Sequence, residues 1–213
     1  MMDIRISLAK ITVEPNQILA FPATNRALWL EAGSITLDEQ RMETGQGWYM
    51  DAGFSFCNEG NQRANLLSFE IRNATAPSDV GPNHSLLIDK TATVEDGQHI
   101  VRLDKVTFPA GSRAYRHIHP GPGIRYLTKG TLEIQSDHEK QMKLPHTAWF
   151  EDANSPVIAI ASSTEISEFV RVLVLPKRCS GEPSLKIVNE EDKEKPRLQK
   201  NFRYFDCAVD LMP

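Results

Sequence analysis

Gly111-Ser112-Arg113-Ala114-Tyr115-Arg116-His117-Ile118-His119-Pro120-Gly121-Pro122-Gly123 is the stretch on which the reading of the whole chain turns. Successive side chains of a β-strand point to opposite faces, so residues i and i+2 share a face with Cα atoms ~6.5–7 Å apart. His117 and His119 so placed converge on one point, and neutral imidazole is a good ligand for transition metals. Gly111 before the pair and the proline-glycine run after it supply turn chemistry, so the segment reads turn, short strand, turn. A bare pair of histidines at this spacing is a weak signal. Its bracket and the strands after it add weight.

Residues 124–134, Ile124-Arg125-Tyr126-Leu127-Thr128-Lys129-Gly130-Thr131-Leu132-Glu133-Ile134, read as a strand, a glycine turn and a second strand. The same pattern occurs earlier. Trp29-Leu30-Glu31-Ala32-Gly33-Ser34-Ile35-Thr36-Leu37 lines up with residues 126–134, and Trp48-Tyr49-Met50-Asp51 with Trp149-Phe150-Glu151-Asp152. Leu66 through Ile71 then mirrors Val170 through Leu175. A repeat length of about 100 residues is too long for a solenoid and suits a duplicated domain. Each copy consists of short apolar or alternating runs punctuated by Gly, Pro, Asn and Asp, the pattern of an all-β sandwich or barrel.

Gly111, His117, His119 and Gly130 resemble, in register, the first motif of the cupin superfamily: Gly, five residues, HxH, three or four residues, Glu, six residues, Gly. Gly123 stands where that motif has its glutamate. The second motif lies beyond a strand that Ala148-Trp149-Phe150-Glu151 matches, with Pro156 or Val157 where its histidine belongs. The resemblance implies an all-β bicupin of tandem jelly-roll (double-stranded β-helix) barrels. Residues 1–76 would form an N-terminal barrel without metal ligands and residues 84–178 a C-terminal barrel with the HxH pair. Residues 179–213 would form a charged linker and a C-terminal edge strand, returning to the first barrel. The join is expected near Ala76-Pro77-Ser78-Asp79-Val80-Gly81-Pro82-Asn83.

Two histidines need further ligands to hold an ion. Glu151, at the end of the Trp149-Phe150 strand, would complete two histidines and a carboxylate, with iron, manganese, nickel, copper or zinc as the divalent metal. The competing reading pairs Glu151 with an arginine. Arg125 lies two positions after Gly123, so it points into the barrel, where a guanidinium needs a partner. That partner is either Glu151 or an anionic ligand held bidentately. Trp149 is a second candidate for contact with a small molecule, against the plainer reading of a core residue. His146 occupies a proline-led turn and reads as a surface residue, as do His84, His99 and His138. Asp104-Lys105 reads as a solvated pair, and the charge-dense Glu190-Glu191-Asp192-Lys193-Glu194-Lys195-Pro196-Arg197 as a solvated linker.

The 213 residues, 40% hydrophobic and 24% charged, are ordinary for a globular protein. A net charge of −4 argues against a nucleic-acid or anionic-membrane binder. No apolar run approaches the ~18 residues of a membrane span, and Met1-Met2-Asp3-Ile4-Arg5 lacks the pattern of a secretion signal. Three scattered cysteines fit a reducing cytoplasm. No nucleotide-binding or hydrolase motif is present. Two functions remain: a metal-dependent enzyme of the dioxygenase, isomerase or lyase type acting on a small anionic or oxygen-rich molecule, or a non-catalytic small-molecule-binding cupin whose metal centre has decayed. A homodimer is expected, since sheet edges need covering.

Overall fold

Apolar alternation and glycine turns produce strands throughout the chain in the computed structural model, which describes residues 1–76 and 83–211. Apart from a few residues at either end, the chain divides into two compact units, residues 3–92 and residues 93–210. The join expected from sequence falls largely on residues 77–82, outside the described residues.

The first unit contains β1 (Met2–Val13), β2 (Ile18–Phe21), β3 (Asn25–Ala32), β4 (Ser34–Leu37), β5 (Gln40–Glu43), β6 (Gly47–Met50), β7 (Phe54–Cys57), β8 (Ala64–Asn73) and β9 (His84–Val94). They form two sheets, ordered β6-β3-β8-β1-β9 and β2-β7-β4-β5. Their inward faces meet in a core that includes Leu28, Leu30 and Leu66. In that core Phe21 stacks on Phe54 and Phe56, with ring centroids 5.1 and 5.3 Å away. Trp48 and Met50 pack against the same cluster.

The second unit repeats this order with β10 (His99–Phe108), β11 (Arg113–Ile118), β12 (Gly123–Lys129), β13 (Leu132–Gln135), β14 (Lys140–Lys143), β15 (Ala148–Glu151), β16 (Val157–Ala161), β17 (Ser167–Pro176), β18 (Lys186–Ile187) and β19 (Lys200–Val209). Its sheets run β15-β12-β17-β10-β19 and β14-β13-β16-β11-β18. The terminal strand β19 pairs with β10, within the second unit, rather than returning to the first barrel. Arg102 fastens it there. This buried guanidinium donates to both carboxylate oxygens of Asp206, at 2.6 and 2.7 Å, and to the carbonyls of Cys179 and Glu182.

The proline-glycine run has a steric reason. A Cβ at Gly121 would lie 1.9 Å from the Val174 carbonyl oxygen, and one at Gly123 would lie 2.1 Å from that of Val172. The backbone approaches β17 too closely for any side chain. A glutamate at position 123 would need β17 to move.

Candidate functional site

His117 and His119 stand at the end of β11, one residue apart, and their rings meet edge to face with centroids 5.1 Å apart. Both are buried, 5% and 3% exposed. Each imidazole is oriented by a backbone carbonyl. The His117 Nδ1–H donates to Tyr115 O at 2.7 Å, and the His119 Nδ1–H to Ser184 O at 3.2 Å. The Nε2 atom of each ring is then the one left with a lone pair. Burial holds His117 below its ordinary pKa, against the pull of Glu151. Burial, with Arg171 and Arg125, holds His119 well below its own.

His117, His119, Arg125, Trp149 and Glu151 all line one cavity of about 180 Å³ in the second barrel. Strand pairing explains the convergence. Register sets Arg125 opposite Trp149 on one side and Arg171 on the other, and Arg171 opposite Asp104. Arg125 Nη2 lies 2.7 Å from Glu151 Oε2, and Glu151 Oε1 accepts the Trp149 indole N–H at 2.9 Å. Burial lowers Arg125 to about 10, with Glu151 opposing the shift. Burial alone would raise the Glu151 carboxyl. Arg125, followed by His117 and the Trp149 N–H, instead holds it below its ordinary value. The carboxylate considered as a third metal ligand is thus committed to Arg125 and Trp149.

Asp104 is not a solvated residue. It is 0% exposed and accepts from Arg171 Nε at 2.6 Å and Nη2 at 3.1 Å, with Asn201 Nδ2 3.3 Å away. The remaining Arg171 nitrogen, Nη1, lies 3.2 Å from His119 Nε2 and donates to its lone pair. His99 also departs from the surface reading: it is 2% exposed, and burial lowers its pKa. His84, His138 and His146 are exposed. His146 has a left-handed φ of 68° and sits with Nδ1 3.0 Å from the Tyr126 hydroxyl, away from the cavity wall.

The donor set does not fit a resident transition-metal ion. An ion on His119 Nε2 would displace the Arg171 N–H, and a third ligand from Glu151 would leave Arg125 buried without its partner. Among the described residues no group of three or more His, Cys, Asp or Glu side chains could hold a metal ion. The nearby guanidiniums of Arg125 and Arg171 repel a cation. The rest of the wall is apolar, from Val106, Phe108, Ile134, Val157 and Phe169, with the Trp149 ring edge-on to Phe169 at 5.4 Å.

The remaining wall comes from the tail, whose composition alone would leave it in solvent. Pro183, Ser184 and Leu185, and further on Arg197, Gln199 and Asn201, contribute to the lining of the cavity. Strand β18 pairs with β11 at His117 and Ile118, which holds the tail beside the histidines. Neither Asp104 nor these tail residues carries a local signal of its role. Their partners are distant in sequence.

No family model matches the chain. No curated protein does either. Solved structures do. Salicylate 1,2-dioxygenase from Pseudaminobacter salicylatoxidans superposes with a TM-score of 0.56 at 10% identity, over 78% of this chain and 70% of that one. AerE from Microcystis aeruginosa gives 0.58 at 14% identity, over 82% and 88%. The fold is the cupin fold, present twice. A variant of the dioxygenase is also similar (TM-score 0.56, 10% identity, 79% and 68% covered), and it is in complex with gentisate. At such identities the likeness speaks to the cupin architecture alone. No helix among the described residues is long and apolar enough to cross a membrane.

Proposed function

We propose that the second barrel is a binding site for a small organic anion with an apolar body, and that it works without a resident metal ion. The observation carrying this reading is that three guanidiniums, Arg125, Arg171 and Arg197, line one cavity whose remaining wall is largely apolar. Apolar walls with a few fixed polar groups are the usual make-up of small-molecule sites. His117, with Nδ1 already engaged, presents a lone-pair acceptor at Nε2 to a ligand hydroxyl, whereas that of His119 already meets Arg171. Gentisate, the ligand of one protein of the same fold, is an aromatic hydroxycarboxylate and supports the ligand class.

Thermal-shift titration with benzoate, salicylate and gentisate, beside neutral salicylamide and benzyl alcohol, tests this. The carboxylates are expected to raise the unfolding temperature with concentration, as any ligand of the native state does. Absence of a shift with every carboxylate at millimolar concentration would overturn the reading.

One observation favours a metal-dependent enzyme instead. Imidazoles whose Nδ1–H groups are held by carbonyls are oriented as metal-binding histidines usually are. Elemental analysis beside a His117→Ala/His119→Ala variant separates the two. Near-stoichiometric iron, manganese, nickel, copper or zinc, lost in the variant, would replace our reading with a metal-dependent one and make a dioxygenase, isomerase or lyase activity the next assay. A cytoplasmic homodimer is part of the proposal. Three free cysteines support the reducing compartment, and exposed Met142 and Leu144, on and just after strand β14, support the dimer. Light scattering would decide the latter.

A further inference from the structure

The charges of the cavity do not cancel. Arg125 is matched by Glu151, and Arg171 by Asp104. Both ion pairs are internal, and opening either to bind a ligand would leave a buried carboxylate without its counter-charge. Arg197 is different. It lines the same cavity, and among the described residues it has neither a hydrogen bond nor an ion pair. Among the guanidiniums and the carboxylates that meet them, three positive charges therefore face two negative ones.

Arg197 is also held in place. Just before it, Lys195 reaches Asp192 Oδ1 at 2.7 Å and lies 5.3 Å over the Tyr115 ring. Pro196 then fixes its own backbone φ. After it, Asn201 is tied to Asp104 at 3.3 Å. Between these anchors the chain exposes two side chains to the cavity, Arg197 and Gln199. Gln199 Oε1 is buried and accepts no hydrogen bond. A buried acceptor left unpaired is costly, so a ligand that brings a donor gains by meeting it.

We infer that the ligand is a monoanion, a small carboxylate also bearing a hydroxyl or N–H donor, with Arg197 as the residue that reads the carboxylate and Gln199 the one that accepts the donor. The assignment rests on the proposal that this cavity binds an organic anion, and it moves the counter-charge from the barrel strands to the tail crossing them. Arg125 and Arg171 shape the pocket and set its field, whereas Arg197 discriminates by charge. A dianion would exceed the single uncompensated charge. A neutral analogue would leave Arg197 unmatched, at little cost because that side chain is exposed.

Isothermal titration of the full chain with salicylate, benzoate and salicylamide tests this against Arg197→Ala, Arg197→Lys and Gln199→Leu. Arg197→Ala is expected to weaken salicylate about tenfold or more, as loss of a charge-assisted pair does. It should leave salicylamide within about twofold. Arg197→Lys, which keeps the charge but not the fork, should fall between. Gln199→Leu should weaken salicylate more than benzoate, which has no hydroxyl. Arg197 is exposed, so an unchanged unfolding temperature is the control. Equal loss of salicylate and salicylamide in Arg197→Ala, or loss of neither, overturns the assignment while the pocket reading stands. Failure of the wild-type protein to bind any of the three overturns both.

Discussion

The two barrels share a strand order and differ in what they enclose. Matching strand registers set Ala9, Leu28, Met50 and Ser68 of the first barrel against Asp104, Arg125, Glu151 and Arg171 of the second. Where the second barrel has two buried ion pairs facing a cavity, the first has apolar or small side chains at these four positions and a stack of three phenylalanines, beside which Arg26 is buried over the Phe21 ring and donates to Ser68. The tryptophans record the same divergence. Trp149 donates its indole N–H to Glu151, whereas Trp48, with Met50 in the equivalent place, has a buried indole N–H with no acceptor. A jelly roll closes equally well around a filled or a hollow interior. The Arg125–Glu151 and Arg171–Asp104 pairs are therefore not a requirement of the strand order that the two barrels share.

The largest expected effect comes from converting one barrel toward the other. Asp104→Ala alone leaves the Arg171 charge buried, and about 3–5 kcal/mol of stability should be lost in urea unfolding. The double change Asp104→Ala/Arg171→Ser installs the first barrel's side chains and should restore most of that loss. A single variant as stable as the wild type would break the claim that the pair is desolvated.

Acid should sharpen the comparison next. The first barrel's interior has no histidine, while His117 and His119 are held below the ordinary 6.5 when folded. As pH falls below 6.5 the unfolded chain takes up protons that these folded imidazoles refuse. Stability should then fall by up to about 1.4 kcal/mol per pH unit for each, down to the folded pKa. Urea midpoints between pH 7.5 and 5.5 should show a shallower decline in His119→Gln than in the wild type. Equal slopes would mean that His119 titrates alike in the folded and unfolded chain.

The smallest effect belongs to the first barrel. Met50→Gln would offer the Trp48 N–H an acceptor and should raise stability by about 1 kcal/mol or less. A clear loss instead would mean that packing at Met50 outweighs the missing hydrogen bond.

Much of the fold was legible in the chain. Strand alternation and the repeat of the tryptophan-led segments give two β-domains, and the spacing of His117 and His119 gives one shared face. Arg125 was legible as inward-pointing by counting from Gly123. Asp104 was not, because the residue that makes its burial tolerable, Arg171, lies 67 positions away in sequence. The acidic and basic tail was legible only in part: residues 190–197 are mostly exposed, as expected of a solvated linker. Yet β18 pairs with β11 and draws Arg197 and Gln199 over the cavity. His99 looks like a loop residue but begins β10, paired on both sides, and is buried.

By itself, then, the sequence determined the elements and their duplication, because alternation and turn chemistry act over a few neighbouring residues. It also determined that one copy alone carries histidines on an inward face. The tertiary structure decided which charges meet. Arg125 met Glu151, Arg171 met Asp104 and took the lone pair of His119, and Arg197 was left with a cavity to face and, among the described residues, no carboxylate. Those pairings depend on strand register and on where the tail crosses the barrel. Ion pairing in a dry interior is decided by a few ångströms of position that no local pattern specifies.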